Sequence, residues 1–251
     1  PLFFVIFVSM TIDEVYRFVK TMANKENRGW IKPSEFNLLA ERAQLDLIKD
    51  RVGTISPDGV VNGYKTNAQF WDELRPVTAY NIRIENDGDG DFNKNDSDVD
   101  IFGSDGDYLY FLSARYIGSN PTISGKPIDM VDMNEIWARR ESYLNPPSEQ
   151  FPVGIITDQG IRVFIQTANL GGSQDDGQVR LTYIKKPAAP TWGYSTVNNI
   201  EVYNSATSTQ LTLPESTHKE IAHRILAYIG VTLREQTIVE YGTVTVAEQN
   251  K

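Results

Sequence analysis

Residues 151–194 (FPVGIITDQGIRVFIQTANLGGSQDDGQVRLTYIKKPAAPTWGY) hold three short apolar runs separated by strong turn signals. That spacing leaves room for little besides antiparallel strands. Phe151–Thr157 runs into Asp158, Gln159 and Gly160, a tight connection to Ile161–Gln166. Val179–Lys185 alternates, with Val179, Leu181 and Tyr183 on one face and Arg180, Thr182 and Ile184 on the other. Asn169–Ser173 and Asp175–Gly177 supply the loop before this third run. Pro187 and Pro190 end the pairing, because proline has no backbone donor. The pattern predicts an antiparallel meander whose last strand leaves through a stiff exit to Trp192 and Tyr194.

Helical patterns flank this centre. Thr11 and Glu14 form a capping box, and Ile12, Val15, Tyr16, Val19 and Met22 give one apolar face, so a helix is predicted to about Ala23. Pro33 and Ser34 open a second helix, with Ser34 as its cap and Gly53 at its stop. It carries two apolar stripes: Phe36, Leu39, Ala43 and Leu47, then Leu38, Leu45, Ile48 and Val52. Such a helix needs cover from more than one side. Residues 54–66 read as turns, Asn67–Leu74 as a short helix, and Val77–Ile84 and Tyr108–Arg115 as strands. Asp129–Tyr143 reads as a helix with Val131, Ile136 and Trp137 inward, stopped by Pro146 and Pro147. Ile200–Tyr203 and Gln210–Leu213 are strand-like. Pro214 opens a last long helix with Ile221, Ala222, Ile225, Tyr228 and Ile229 buried; Gly230 breaks or kinks it, and Leu233–Tyr241 resumes it. The expected class is α+β. Residues 11–251 form one domain, with residues 11–53 and 214–251 packed together as a helical part and 77–213 as a mostly β sheet or sandwich. Residues 1–10 are an apolar extension, too short to span a bilayer and without a secretory signal's charged start.

The formal charge of −9 is concentrated in one place. Glu85, Asp87, Asp89, Asp91, Asp96, Asp98, Asp100, Asp105 and Asp107 face only Lys94, and the remaining sequence is close to neutral. The simplest reading of 85–107 is a long solvated loop joining two strands of a hairpin, replaceable by a short Gly/Ser turn without loss of fold. No basic stripe is visible, which argues against a protein that grips nucleic acid phosphates. There is no cysteine, hence no disulfide, thiolate metal site or cysteine nucleophile.

Asp89, Asp91 and Asn93 occupy the first, third and fifth places of a calcium loop, with Asp100 at the twelfth. Lys94 stands where the loop needs glycine, and no glutamate closes it. His218 and His223 lie about 140° apart around a helix and do not form the one-face pair of a zinc protease. No phosphate-cradling glycine loop, nucleophile elbow or locally spaced Ser/His/Asp set is present, so no catalytic, cofactor or metal residue is assigned. Tyr108, Tyr110, Trp192 and Tyr194, near strand ends, mark either a binding surface or a sheet core.

The segment Val179–Tyr194 (VRLTYIKKPAAPTWGY) resembles a run in virion structural proteins of crAss-like phages, the short-tailed phages of gut Bacteroidales. Tyr143–Val153, Ser208–Glu215, Asp72–Val77 and Gly29–Phe36 fit the same pattern in order, from about residue 11 to 245. These proteins are similar to head-to-tail adaptor and ring proteins stacked below a portal. The resemblance implies a non-enzymatic subunit of an oligomeric ring in the virion neck or tail, assembled in the host cytoplasm. Its partners would be further copies, the portal protein and other neck or tail proteins, with DNA passing through the channel without specific binding and no membrane contact. It implies no cofactor and no catalytic residue. A calcium-stabilised β-sandwich binding module and a hydrolase built from distant residues stand as alternatives.

Overall fold

The computed structural model describes residues 10–24, 31–54, 67–86, 91–95, 100–104, 106–117, 125–165, 178–198 and 200–233. The fold is α+β, with helices and a largely antiparallel sheet. The chain divides into two compact units, residues 78–186 and residues 1–77 with 187–251. Pro187–Leu213, read from sequence with the β part, goes with the helices.

In the helical unit, α1 (Ile12–Asn24) begins at the predicted capping box. The Thr11 N–H donates to Glu14 at 2.8 Å, and the Glu14 N–H donates to Thr11 Oγ1 at 3.3 Å. Helix α2 (Pro33–Thr54) starts one residue earlier than expected, with Pro33 in the first turn, where its missing N–H costs nothing. Ser34 is therefore not the cap; the Lys32 N–H is held instead by Glu35 at 3.3 Å. Gly53 lies inside the last turn. The first stripe of α2 is buried at Phe36, Ala43 and Leu47; in the second, Ile48 is buried while Leu38 faces solvent. Helix α3 (Asn67–Leu74) matches its predicted span. Thr54 ends α2 and Leu233 ends the last long helix; the rest of the expected turn region (55–66) and of the resumed last helix (234–241) lies outside the described residues.

Helix α5 (Glu215–Leu233, numbered after α4 below) packs on both α1 and α2. Ile221, Ala222, Ile225, Leu226 and Ile229 are buried, as are Thr217, His218, Glu220, His223 and Arg224. It runs through Gly230 without ending there. Polar residues are tolerated at this depth because each of several elements supplies a partner. Arg51 of α2 pairs with Glu73 of α3 at 2.7 Å and with Glu220 of α5; Arg224 bridges Glu220 and Asp50 at 2.9 and 2.7 Å. Gln44, fully buried, donates to Ala188 O at 3.2 Å and accepts from the Thr212 N–H at 3.0 Å, clamping the proline exit to α2.

In the other unit, β1 (Thr78–Asn86), β2 (Asp91–Asn95), β3 (Tyr108–Ile117), β4 (Lys126–Pro127), β5 (Asp129–Met130), β6 (Val153–Ile156), β7 (Ile161–Phe164) and β8 (Gln178–Lys185) form one sheet in the order β4-β3-β8-β1-β2-β7-β6-β5. Helix α4 (Met133–Arg140) follows β5. The strands at the two ends of that order, β4 and β5, are separated in sequence by Ile128 alone, so the sheet rolls until its edges meet there. The Ile128 N–H donates to Ala114 O and the Asp129 N–H to Pro152 O, both at 3.0 Å. A Cβ on Gly154 would lie 2.7 Å from Ile128 Cγ2, so this closure needs glycine. Ile84, Phe92, Ala114, Ile128, Ile161, Val163, Val179 and Leu181 fill one core inside the roll.

Three expectations are overturned here. The meander holds only for β6 and β7, turned at Gly160 (φ 153°); β8 lies between β1 and β3 instead of beside β7. Residues 85–107 are not simply a solvated hairpin loop, because β2 within them joins β1 to β7. The predicted helix 129–143 shortens to α4, since Asp129 and Met130 pair with β6 and Asp132 caps the helix through the N–H groups of Asn134 and Glu135.

Candidate docking surfaces

The acids of the calcium-like pattern have separate protein partners. Asp91 is buried and its carboxylate is gripped by Arg162 of β7 and approached by Thr157 Oγ1 at 3.3 Å. Asn93 is buried beside it in β2, and Asp89 lies outside the described residues. Asp100 accepts from the N–H groups of Phe102 and Gly103 at 2.9 and 3.0 Å, closing a turn. Asp107 accepts the Tyr183 hydroxyl at 2.7 Å, and burial together with that carboxylate pushes the phenol well above its ordinary range. Glu85 pairs with Arg83 at 2.7 Å. Among the described residues no group of three His, Asp or Glu side chains is arranged to hold a metal ion.

The histidines are buried polar positions of α5. His218 ring nitrogens lie 2.6 Å from Met10 O and 2.9 Å from Leu213 O. His223 meets the Phe18 ring edge-on, and burial pushes its imidazole below the ordinary value.

Of the aromatic candidates, Trp192 is a core anchor. Its indole stacks on Tyr16 at 4.2 Å, its Nε1–H donates to Asp13 at 3.0 Å, and its backbone N–H donates to Asn37 at 2.7 Å. Tyr108 packs between Phe102 and Tyr183. Burial, helped by the Glu201 charge, raises Tyr16 to about 12.

Tyr194 opens a feature the sequence shows only in part. Strands β9 (Tyr194–Val197) and β10 (Ile200–Tyr203) form a separate two-stranded hairpin, with Asn198 at φ 52° in its turn. Val197 pairs with Ile200 and Ser195 with Val202, so these four share a face. The opposite face carries Tyr194 and Tyr203, whose rings lie within 6.0 Å of Trp192. The first face is open: Val197, Ile200 and Val202 are 53%, 66% and 46% exposed. The expected strand Gln210–Leu213 is absent; Thr209 alone bridges to Thr191.

The sheet unit has its own apolar surface. After α4, Tyr143 and Leu144 are 98% and 92% exposed, and Trp137 and Phe151 are also largely in solvent. Asn145, Pro146, Pro147 and Phe151 then line a cleft of about 380 Å³ closed by Pro127 and Pro152. Arg139 at its side is occupied by Glu135 and Asp129 at 2.9 and 3.4 Å. Four prolines, Phe151 and Val153 make up most of the lining, and the Arg139 guanidinium there is paired with acids, Asp129 of the lining among them. Among the described residues no helix is long and apolar enough to cross a membrane. No protein-family model matches the chain, and no curated protein matches it.

Proposed function

We propose that the chain is a non-enzymatic structural subunit of a tailed-phage virion, assembling as an oligomeric ring in the head-to-tail connector or tail. One observation carries this reading: each compact unit exposes an apolar surface of its own, the β9–β10 hairpin face in one and the Tyr143–Leu144 segment with its proline cleft in the other. Contiguous apolar surface rimmed by polar residues marks interaction sites. Two different surfaces per subunit suit a head-to-tail interface, in which each copy meets its neighbours through unlike patches. The order of the sequence motifs points to the same class of protein. The partners are further copies of the chain, the portal and adjacent neck or tail proteins, around a channel that conducts DNA. The test is a symmetry-resolved image of the virion. Density for this chain in a ring on the portal–tail axis supports the proposal; its location in capsid decoration or fibres overturns it.

A further inference from the structure

The sequence shows no basic stripe, yet the sheet register builds one. Arg83 of β1 pairs with Arg180 of β8, and Arg180 pairs with Arg115 of β3. Residues directly opposite share a face, and the neighbours Ile84, Val179, Ala114, Tyr116 and Leu181 all point into the core. The three arginines therefore stand in line on the outside of the roll, on strands about 4.8 Å apart, a row on the order of 10 Å long.

Like charges directly opposed across strands are destabilising, so this arrangement costs the fold something that a bound anion would offset. Among the described residues, the carboxylate beside the row is Glu85, on Arg83. Arg180 makes a long 3.4 Å contact with Asn81 O, and Arg115 is exposed with no carboxylate on it among the described residues. The next outward pair, Ser113 and Thr182, is uncharged.

We infer that this row contacts successive phosphates of a nucleic acid backbone, without reading sequence. The planar guanidinium fork matches phosphate in a bidentate way, and a line of forks suits a linear polyanion better than a compact one. The row lies on the face of β1, β8 and β3, with β8 paired on both sides. An acidic peptide therefore gains no main-chain ladder there, whereas a phosphodiester needs only phosphate contacts. The surrounding unit is acidic, so binding is short-ranged and strongest at low salt. The inference rests on the ring reading only for the identity of the polymer; the row itself stands on the strand register.

The experiment measures binding of a labelled duplex oligonucleotide of arbitrary sequence by fluorescence anisotropy across a salt series, with native mass recorded on the same samples. The double variant R115Q/R180Q should weaken binding by about tenfold or more and flatten the log–log salt slope by about 2. Arg75→Gln, a largely exposed side chain on the other unit, should leave both unchanged. Thermal melting checks that the variants fold, and both substitutions should melt no lower than the parent because opposed charges are removed. If the double variant fails to fold, Arg115→Gln alone carries the test, with a slope change of about 1. Equal affinity in parent and variant, or no binding by the parent at low salt, overturns the inference. So does an arginine-dependent response to poly-glutamate without one to DNA, which would assign the row to an acidic protein partner. A monomer that binds DNA through the row upholds the row and counts only against the ring, whereas a ring whose DNA binding ignores the row does the reverse.

Discussion

Asp91 is 1% exposed while the side chain of its partner Arg162 is 42% exposed, so the two ends of this ion pair carry unequal risks. Removing Arg162 takes the cation away from a buried carboxylate; removing Asp91 leaves a guanidinium that water reaches. Arg162→Ala is therefore expected to destabilise by about 3 kcal/mol and Asp91→Asn by clearly less, measured by urea unfolding. Leu47 and Leu226 sit in the helical core with essentially no exposure. Burying a leucine contributes about 1.5–3 kcal/mol, and a buried aspartate adds desolvation, so Leu47→Asp and Leu226→Asp should each prevent stable folding, seen as loss of a cooperative melt. His223 gives a pH signature. Burial holds its pKa below the ordinary value, with the Lys219 carbonyl and the Glu220 charge pulling it back and the Lys219 charge adding to the depression. The unfolded chain then binds more protons over the interval between the folded value and about 6.5. The stability that neutral His223 contributes is complete above that interval and declines as pH falls through it. Melting temperature should drop from pH 7 downward in the parent, and His223→Gln should flatten the upper part of that decline, above the range where carboxylates titrate.

Local rules made some elements legible and pairing rules hid others. The capping box of α1, the span of α3 and the alternation of β8 all rest on neighbours within a few residues, and each appears where periodicity places it. Ile184 departs from that alternation, being buried like its neighbour Tyr183. What sequence did not show is which strands meet. Asp91–Asn95 has no apolar alternation, yet it forms β2 because Phe92 enters the core and Arg162 neutralises Asp91 from the next strand. The arginine row and the Arg51–Glu220–Arg224 network are likewise assembled from residues far apart in the chain. The hairpin face was half legible: Ile200–Tyr203 reads as a strand, but its outward direction depends on Trp192 holding the other side. This changes the expected outcome of one substitution. Replacing residues 85–107 by a short Gly/Ser turn removes β2, the link between β1 and β7, along with Ile101 and the Asp107 acceptor of Tyr183. The shortened protein is expected to lose its cooperative transition by circular dichroism, and a native-like melt would show that β2 is dispensable.

At the scale of the whole molecule, the exposed apolar surfaces bear on the proposed assembly. A two-stranded hairpin is marginal in water unless something packs on it, and Trp192 covers only one side of β9–β10. Three aliphatic side chains on the other side fall short of the roughly 1,200 Å² that a stable interface buries. In the proposed ring the hairpin would supply one part of a contact, and the Tyr143–Leu144 segment with its cleft would supply the remainder on a second copy. Such a contact separates folding from association. Val197 and Ile200 face solvent in the single chain, so Val197→Ser with Ile200→Ser should change the monomer's melting temperature little, since substitutions at exposed positions stay within about 0.5 kcal/mol. The same pair should abolish ring formation, because hot-spot residues at an interface centre cost about 2 kcal/mol or more each and every subunit in a ring pays at every joint. Incubating the variant with portal particles and counting subunits by native mass reads both effects together, and it allows for a subunit that waits for the portal as template. Retention of full occupancy by the doubly substituted chain would remove the hairpin from the interface and leave the proline cleft as the surface to test next.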